Sequence, residues 1–217
     1  MTLADPISTD PISTDPISTD PISADRSIAA QRSPWAKVRI LETANVLFYE
    51  DGIRTVGVDR LISASSVTKA TFYKHYGSKD RLILDYIDGR HRAMVSLVSS
   101  TVELASGPED ALRSLLAVLT TDIGAPRFRG CAFLNAAAEF PDPAHEVRRR
   151  VQSHRDWLTD VLVGLVGDLG HRMPGDAADE LILAMDGAQS GGYAGDPTAA
   201  SAALSRVFEH VVAAAKA

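Results

Sequence analysis

The stretch GIRTVGVDRLISASSVTKATFYKHYGSKDRL, Gly52 to Leu82, decides how the rest of the chain is read. It holds two short helical patterns, about three residues apart. The first runs from Gly57 to about Ala64, with Val58, Leu61 and Ile62 on one face. The second follows Thr68, a residue type that caps helix N-termini, and runs to about His75. Phe72 and Tyr76 give it an apolar edge; Lys69, Thr71, Lys74 and His75 give it a polar one. Helices this short cannot bury their apolar stripes alone. Crossed steeply over a tight turn and set against a third helix they can, and that arrangement is a helix-turn-helix. The second helix has the composition of a groove reader. Ala70 and Thr71 are small enough for close approach to base edges, while Lys69, Tyr73, Lys74 and His75 supply donors to bases and phosphates. Ser78 caps a further helix, and Lys79 in its first turn, beside free backbone N–H groups, suits a phosphate. Thr68 is a second candidate phosphate contact.

Gly52, Thr55, Val58, Leu61, Val67, Thr68, Thr71, Phe72, Tyr73, His75, Tyr76, Ser78, Lys79, Asp80 and Leu82 together make this stretch resemble the DNA-binding domain of the TetR (tetracycline repressor) family of bacterial transcription regulators. That family has an Ala-Gly pair before the turn valine; here Ser65-Ser66 stands there, so a serine is expected in a turn conformation that glycine adopts more easily. Gly57 replaces the usual Ser or Thr and is still an acceptable N-cap. The resemblance implies an all-α fold, with an N-terminal three-helix domain joined by a long helix to a C-terminal helical domain for ligand binding and dimerisation. It also implies repression of transcription, and a four-helix dimer interface built from the last two helices of each subunit. Dimerisation has an independent reason, because one short recognition helix reads too few base pairs for useful affinity.

Outward from this stretch, the charge distribution fits. The chain carries a formal charge of −6, yet Trp35–Arg81 holds eight Lys/Arg against five Asp/Glu. A basic module on an acidic body suits a DNA binder with a separate second domain. Towards the N-terminus, residues 5–24 are four copies of a pentapeptide, Asp-Pro-Ile-Ser-Thr or -Ala. Proline in every repeat blocks helix, and one isoleucine per repeat buries too little to offset ordering entropy. Residues 1–32 are therefore expected to be a disordered tail; a minor-groove arm is the alternative, with Arg26 and Arg32 as its only basic residues. Ser33-Pro34 predicts the start of the first helix, with Trp35, Val38, Leu41, Ala44, Val46 and Phe48 apolar and Gly52 at its end. Lys37 and Arg39 on it are either DNA-backbone contacts or solvated charges. The DNA-binding domain is then 33–80.

The second domain, 81–217, is expected to be helical throughout. A long helix runs from Ser78 to about Leu104, Pro108 opens another, and Gly124-Ala125-Pro126 breaks it. A short apolar helix follows Gly130; Asp142-Pro143 starts the next, on which Arg148, Arg149 and Arg150 read as a solvated face. The last two helices start near Asp176 and at Thr198, and Ala184, Ala188, Gly191 and Gly192 would permit close approach of a second subunit or of neighbouring helices. Cys131, Asn135 and Glu139 recur at a spacing of four, which places them on one face of the short, otherwise apolar helix. Three readings stand: ordinary packing, the wall of an effector pocket with Phe133, Phe140 and Trp157, or a redox-sensing thiol activated by Arg127 and Arg129.

No Gly-rich phosphate loop, paired-histidine metal spacing or nucleophile elbow occurs, and no cofactor is expected. His145 and His154 near Glu139 would make at best a weak metal site. The single cysteine excludes an internal disulfide and fits a reducing cytoplasm; no apolar run reaches the ~18 residues of a membrane span. Three functions remain. One is a regulator that binds a pseudo-palindromic duplex as a homodimer and responds to a small-molecule effector. A second is the same binder without such input, and the remote third is a helical hydrolase using Cys131.

Overall fold

The computed structural model describes residues 21–216, with side chains from Trp35 onward. Its elements are all helices: α1 (Pro21–Asp51), α2 (Val58–Ala64), α3 (Lys69–Tyr76), α4 (Lys79–Leu104), α5 (Pro108–Ile123), α6 (Ala132–Glu139), α7 (Glu146–Asp168), α8 (Pro174–Ala194) and α9 (Pro197–Ala214). The chain divides into a short unit, Met1–Trp35, and a second unit, Ala36–Ala217. The repeats within residues 1–20 lie outside the described residues. Helix α1 begins at Pro21 rather than at Ser33. Residues 24–32 contain neither proline nor glycine and include three alanines, so nothing local stops a helix there.

The other cap signals mostly hold. Gly57, Thr68 and Ser78 are N-caps, Pro108 stands in the first turn of α5, and Gly52 ends α1 with φ +90. Two caps differ from expectation. The α9 cap is Asp196, which accepts from the N–H groups of Thr198 and Ala199, with Pro197 following it. The α7 cap is His145, whose Nδ1 accepts from Val147 N–H at 3.2 Å, while Asp142 closes the preceding turn by accepting from Ala144 N–H. In both places a competing side-chain acceptor stood beside the proline.

Two cores fill the second unit. The first gathers Ile40, Ala44 and Phe48 of α1, Leu61 of α2, Phe72 and Tyr76 of α3, and Leu82 and Tyr86 of α4 with Phe133, Ala136, Val147 and Val151 of α6 and α7. The second packs α5, α7, α8 and α9 around Leu112, Leu162, Leu181 and Leu204. Ala36–Ala217 is thus one compact unit, with no division at residue 80. The buried face of α1 is Ala36-Ile40-Ala44-Phe48, a strict four-residue step, while Trp35, Val38 and Val46 are exposed. Apolar residues all round this helix hid which stripe faces in. The three arginines of α7 are not a free solvated face either. Arg150 makes a two-oxygen ion pair with Asp88 of α4 at 2.7 and 2.8 Å, and Arg148 donates to Phe140 O.

Ser66 carries the serine-for-glycine difference in full: its φ is +51, the only positive φ at a non-glycine among the described residues. Left-handed backbone costs a residue with a Cβ about 1–2 kcal/mol, and glycine gives part of that back as chain entropy in the unfolded state. Ser66→Gly is therefore expected to stabilise the protein by about 0.5–1 kcal/mol, raising Tm by about 1–4 °C in calorimetry. A lower Tm would show that the serine side chain contributes something the strain argument omits.

Candidate functional site

Helices α2 and α3 are joined by Ser65–Thr68, and each end is tied down. Ser65 is buried and its hydroxyl donates to Leu61 O at 2.6 Å, closing α2. Thr68 Oγ1 accepts from Thr71 N–H at 3.1 Å, opening α3, so that hydroxyl is occupied by the cap. Phe72 and Tyr76 go into the core, each such burial contributing roughly 1.5–3 kcal/mol. This fixes the rotation of α3 and leaves Lys69, Ala70, Tyr73 and Lys74 exposed, with Thr71 and His75 half-buried at the edges. Neither lysine has an ion-pair partner among the described residues. Six of the eight residues expected to meet DNA therefore share one accessible face. Lys79 is placed differently. Its ammonium lies 3.5 Å from Arg54 O and over the Phe48 ring, and burial lowers its pKa against the opposing pull of Glu139 and Asp80. Of the two α1 residues weighed as DNA-backbone contacts, Lys37 pairs with Asp85 and Arg39 reaches Ser66 O.

The second site is a partly enclosed cavity of about 110 Å³ bounded by α4, α5, α7, α8 and α9, with Leu97, Val98, Leu115, Leu158, Ile182 and Phe208 among its walls. A more open recess of about 660 Å³ adjoins it and shares Met94, Leu97, Leu119, Cys131 and Phe133 with it. Cys131 and Phe133 thus line both spaces. Asn135, Glu139 and Trp157 do not line either one. The reason is local: Cys131 is the N-cap of α6, outside the helix, so it shares no helical face with the other two. Asn135 is exposed and donates to Arg129 O at 2.8 Å. Trp157 packs edge-on against His91. Burial pushes the Cys131 thiol pKa up, while Arg127 pairs with Glu50 and Arg129 with Tyr193, so the thiolate has neither of the two cations the redox reading assigned to it.

Glu139 holds a different position. Its Oε1 accepts from Ile53 N–H at 2.8 Å and its Oε2 from Arg54 N–H at 2.6 Å; Arg54 Nη1 in turn donates to the Glu139 carbonyl. The last residue of α6 therefore grips the segment that leads from α1 into α2. At the other end of α6, Tyr49 Oη donates to Gly130 O at 3.0 Å and accepts from Arg129 N–H at 2.9 Å. Sequence reading missed Tyr49, Arg54 and Arg90 of this connection, because their partners lie far away along the chain.

His154 is the one buried histidine. It stacks on Phe133 at 3.5 Å and is hydrogen-bonded to His91 through facing Nδ1 atoms 3.1 Å apart, one donating and the other accepting according to tautomer. Desolvation, then the His91 and Arg155 charges, bring its pKa down to about 4, so it is neutral at pH 7. His145 stacks on Phe140 instead, and no group of three His, Cys, Asp or Glu gathers among the described residues.

A cap-defined helix pair presenting basic residues, set beneath a helical body with an internal cavity, is the architecture of a one-component transcription regulator. Residues 40–86 match the family model for bacterial regulatory proteins of the tetR family. The crystal structure of a TetR-family transcriptional regulator from Streptomyces coelicolor is 37% identical, with a TM-score of 0.81 over 84% of this chain and 96% of that one. A TetR transcriptional regulator from Chloroflexus aurantiacus is similar in fold, at 20% identity and a TM-score of 0.71, over 84% of this chain and 95% of the other. An uncharacterised helix-turn-helix transcriptional regulator of Mycobacterium tuberculosis is 28% identical over 94 residues, 43% of this chain; the match spans only 46% of that relative. The chain belongs to the TetR family of DNA-binding transcriptional regulators. No helix among the described residues is long and apolar enough to cross a membrane.

Proposed function

We propose that the protein is a homodimeric repressor that binds a pseudo-palindromic operator through α3 and leaves it when a small molecule enters the α4–α9 body. The observation that carries this reading is the double hydrogen-bonded tie of α6: Tyr49 at its start and Glu139 at its end connect the cavity wall to the segment bearing α2 and α3. A binder without small-molecule input has no need for a cavity whose wall is tied to the reading head. Lys69, Ala70, Thr71, Tyr73, Lys74 and His75 are assigned to bases and phosphates. Lys79 supports the Arg54 turn in the free protein and is assigned a phosphate on binding.

The dimer reading draws on α8 and α9. Of the small residues expected at an interface, Ala188 is buried within the chain, and a Cβ on Gly192 would meet Ile123 Cγ2 at 2.5 Å, so both serve internal packing. Leu183, 71% exposed, with Gly187 and Gly191 forms the outward stripe instead and is assigned to the partner subunit.

The test is selection of duplexes by the purified protein from random DNA, followed by anisotropy titration. The expected result is a two-fold symmetric site with half-sites about 34–36 Å apart or somewhat further, bound by two subunits with steep salt dependence. Binding by a monomer, or no salt-dependent binding to any selected duplex, overturns the reading.

A further inference from the structure

Among the described residues, Arg90 of α4 makes no ion pair with a carboxylate. It lines the open recess, and its Nη2 donates to Asn45 O of α1 at 3.3 Å. The guanidinium lies over the rings of Tyr49 and Tyr86, with its carbon 4.9 and 5.5 Å from their centres. Its Nε is the one buried side-chain nitrogen or oxygen without a partner among the described residues. A buried donor on a charged group is costly to leave unpaired, and such a group asks for an explanation.

The other charges at the recess do not supply one. Arg127 is paired with Glu50, and Asp122, an exposed carboxylate that lines both spaces, makes no ion pair among the described residues. The inner cavity is ringed by Leu, Val, Ile, Met and Phe; its charged pair, Arg155 and Asp186, is closed on itself at 2.8 Å. The inner cavity thus offers an anion no free cation, whereas Arg90 at the mouth does. A space of about 110 Å³ holds a group no larger than one small ring or a short chain, since an apolar cavity of roughly 150 Å³ takes benzene.

We infer that the effector is a small organic monocarboxylate whose apolar body fills the inner cavity and whose carboxylate binds Arg90 at its mouth. This rests on the effector-responsive reading above and names the ligand class for the same site. A carboxylate takes the side-on edge of a guanidinium, Nε together with Nη2, in a two-bond fork. Nη2 is the nitrogen that holds Asn45 O, so engaging the ligand turns Arg90 away from α1. The ligand then binds the form with a loosened α1 more tightly, which is the condition for it to shift the equilibrium away from DNA. Arg90 thus both recognises the charge and carries the signal.

The test uses matched pairs that differ only in charge: benzoate against benzamide and hexanoate against hexanamide. Binding to the full chain is measured by calorimetry, and operator occupancy by anisotropy. At least tenfold tighter binding of either acid over its amide is expected, with operator affinity falling at least tenfold when the acid is saturating. Arg90→Met should reduce the acid's preference to within about twofold while the amide binds as before. Equal binding of acid and amide, or no binding of either acid at 10 mM, overturns the inference; both readings come from the unaltered protein and do not depend on the variant folding. Preference retained by a folded Arg90→Met also overturns it. Acid binding that leaves operator affinity unchanged upholds the anion site and overturns effector release; release by the amides as readily as by the acids does the reverse.

Discussion

Replacing Lys69 and Lys74 together by alanine is expected to weaken binding to every duplex, on the order of 10³-fold at about 0.15 M salt. The two side chains are exposed and unpaired, so the change removes four cations from a dimer's DNA face without disturbing the core. At about 1 kcal/mol for each, the loss is about 4 kcal/mol, and each phosphate neutralised adds roughly 0.9 to the salt slope, so that slope should flatten by about 3–4. Tm should move by less than about 2 °C, as for surface substitutions away from structural contacts. The measurement is an anisotropy titration at several salt concentrations on a selected operator and on scrambled DNA. Similar losses on both identify phosphate contacts. A loss confined to the operator assigns the lysines to base edges, and unchanged affinity removes α3 from the interface.

Glu139→Ala is expected to lower stability by about 2–3 kcal/mol, or Tm by about 4–12 °C. The carboxylate takes both the Ile53 and Arg54 amides, and neither donor has another acceptor among the described residues. Charged acceptors contribute about 1.5–3 kcal/mol each, less when two bonds share one group. Glu139→Gln retains one good acceptor oxygen and should lose about half as much. The functional consequence separates this variant from a merely weakened protein. Below its lowered Tm it should still bind operator, because α3 is untouched, but an effector should no longer displace it. Full displacement by effector in a folded Glu139→Ala protein would place the coupling in Tyr49 and Arg90 alone.

What the sequence revealed follows the range of the interactions involved. Gly52, Gly57, Thr68, Ser78 and Pro108 act on backbone groups within four residues, so their roles were legible from type and position. The rotation of α3 was legible too, because Phe72 and Tyr76 leave only one face polar. Helix α1 was not, because Trp35, Val38 and Val46 offer as much apolar surface as the stripe that is buried. The spacing of Cys131, Asn135 and Glu139 suggested a shared face, and the position of the helix start undid it. Glu139 meets Ile53 across 86 residues, Tyr49 meets Gly130 across 81, and Arg90 meets Asn45 across 45. Nothing in the local pattern around any of these residues announces its partner.

The shared core that joins α1–α4 to α6 and α7 sets a rule for anyone building chimeric regulators from this protein. A graft that takes residues up to the middle of α4 and splices them to a foreign sensor leaves Ile53, Tyr86 and Ile87 facing a surface shaped for other side chains. The transplanted reading head would arrive without Phe133, Ala136, Val147 and Val151, and without the carboxylate that caps its turn. The exchangeable module is discontinuous: α1 to the first half of α4, together with α6 and the first turns of α7. Rewiring this protein to a new signal is therefore better done by altering side chains around the cavity than by swapping whole halves.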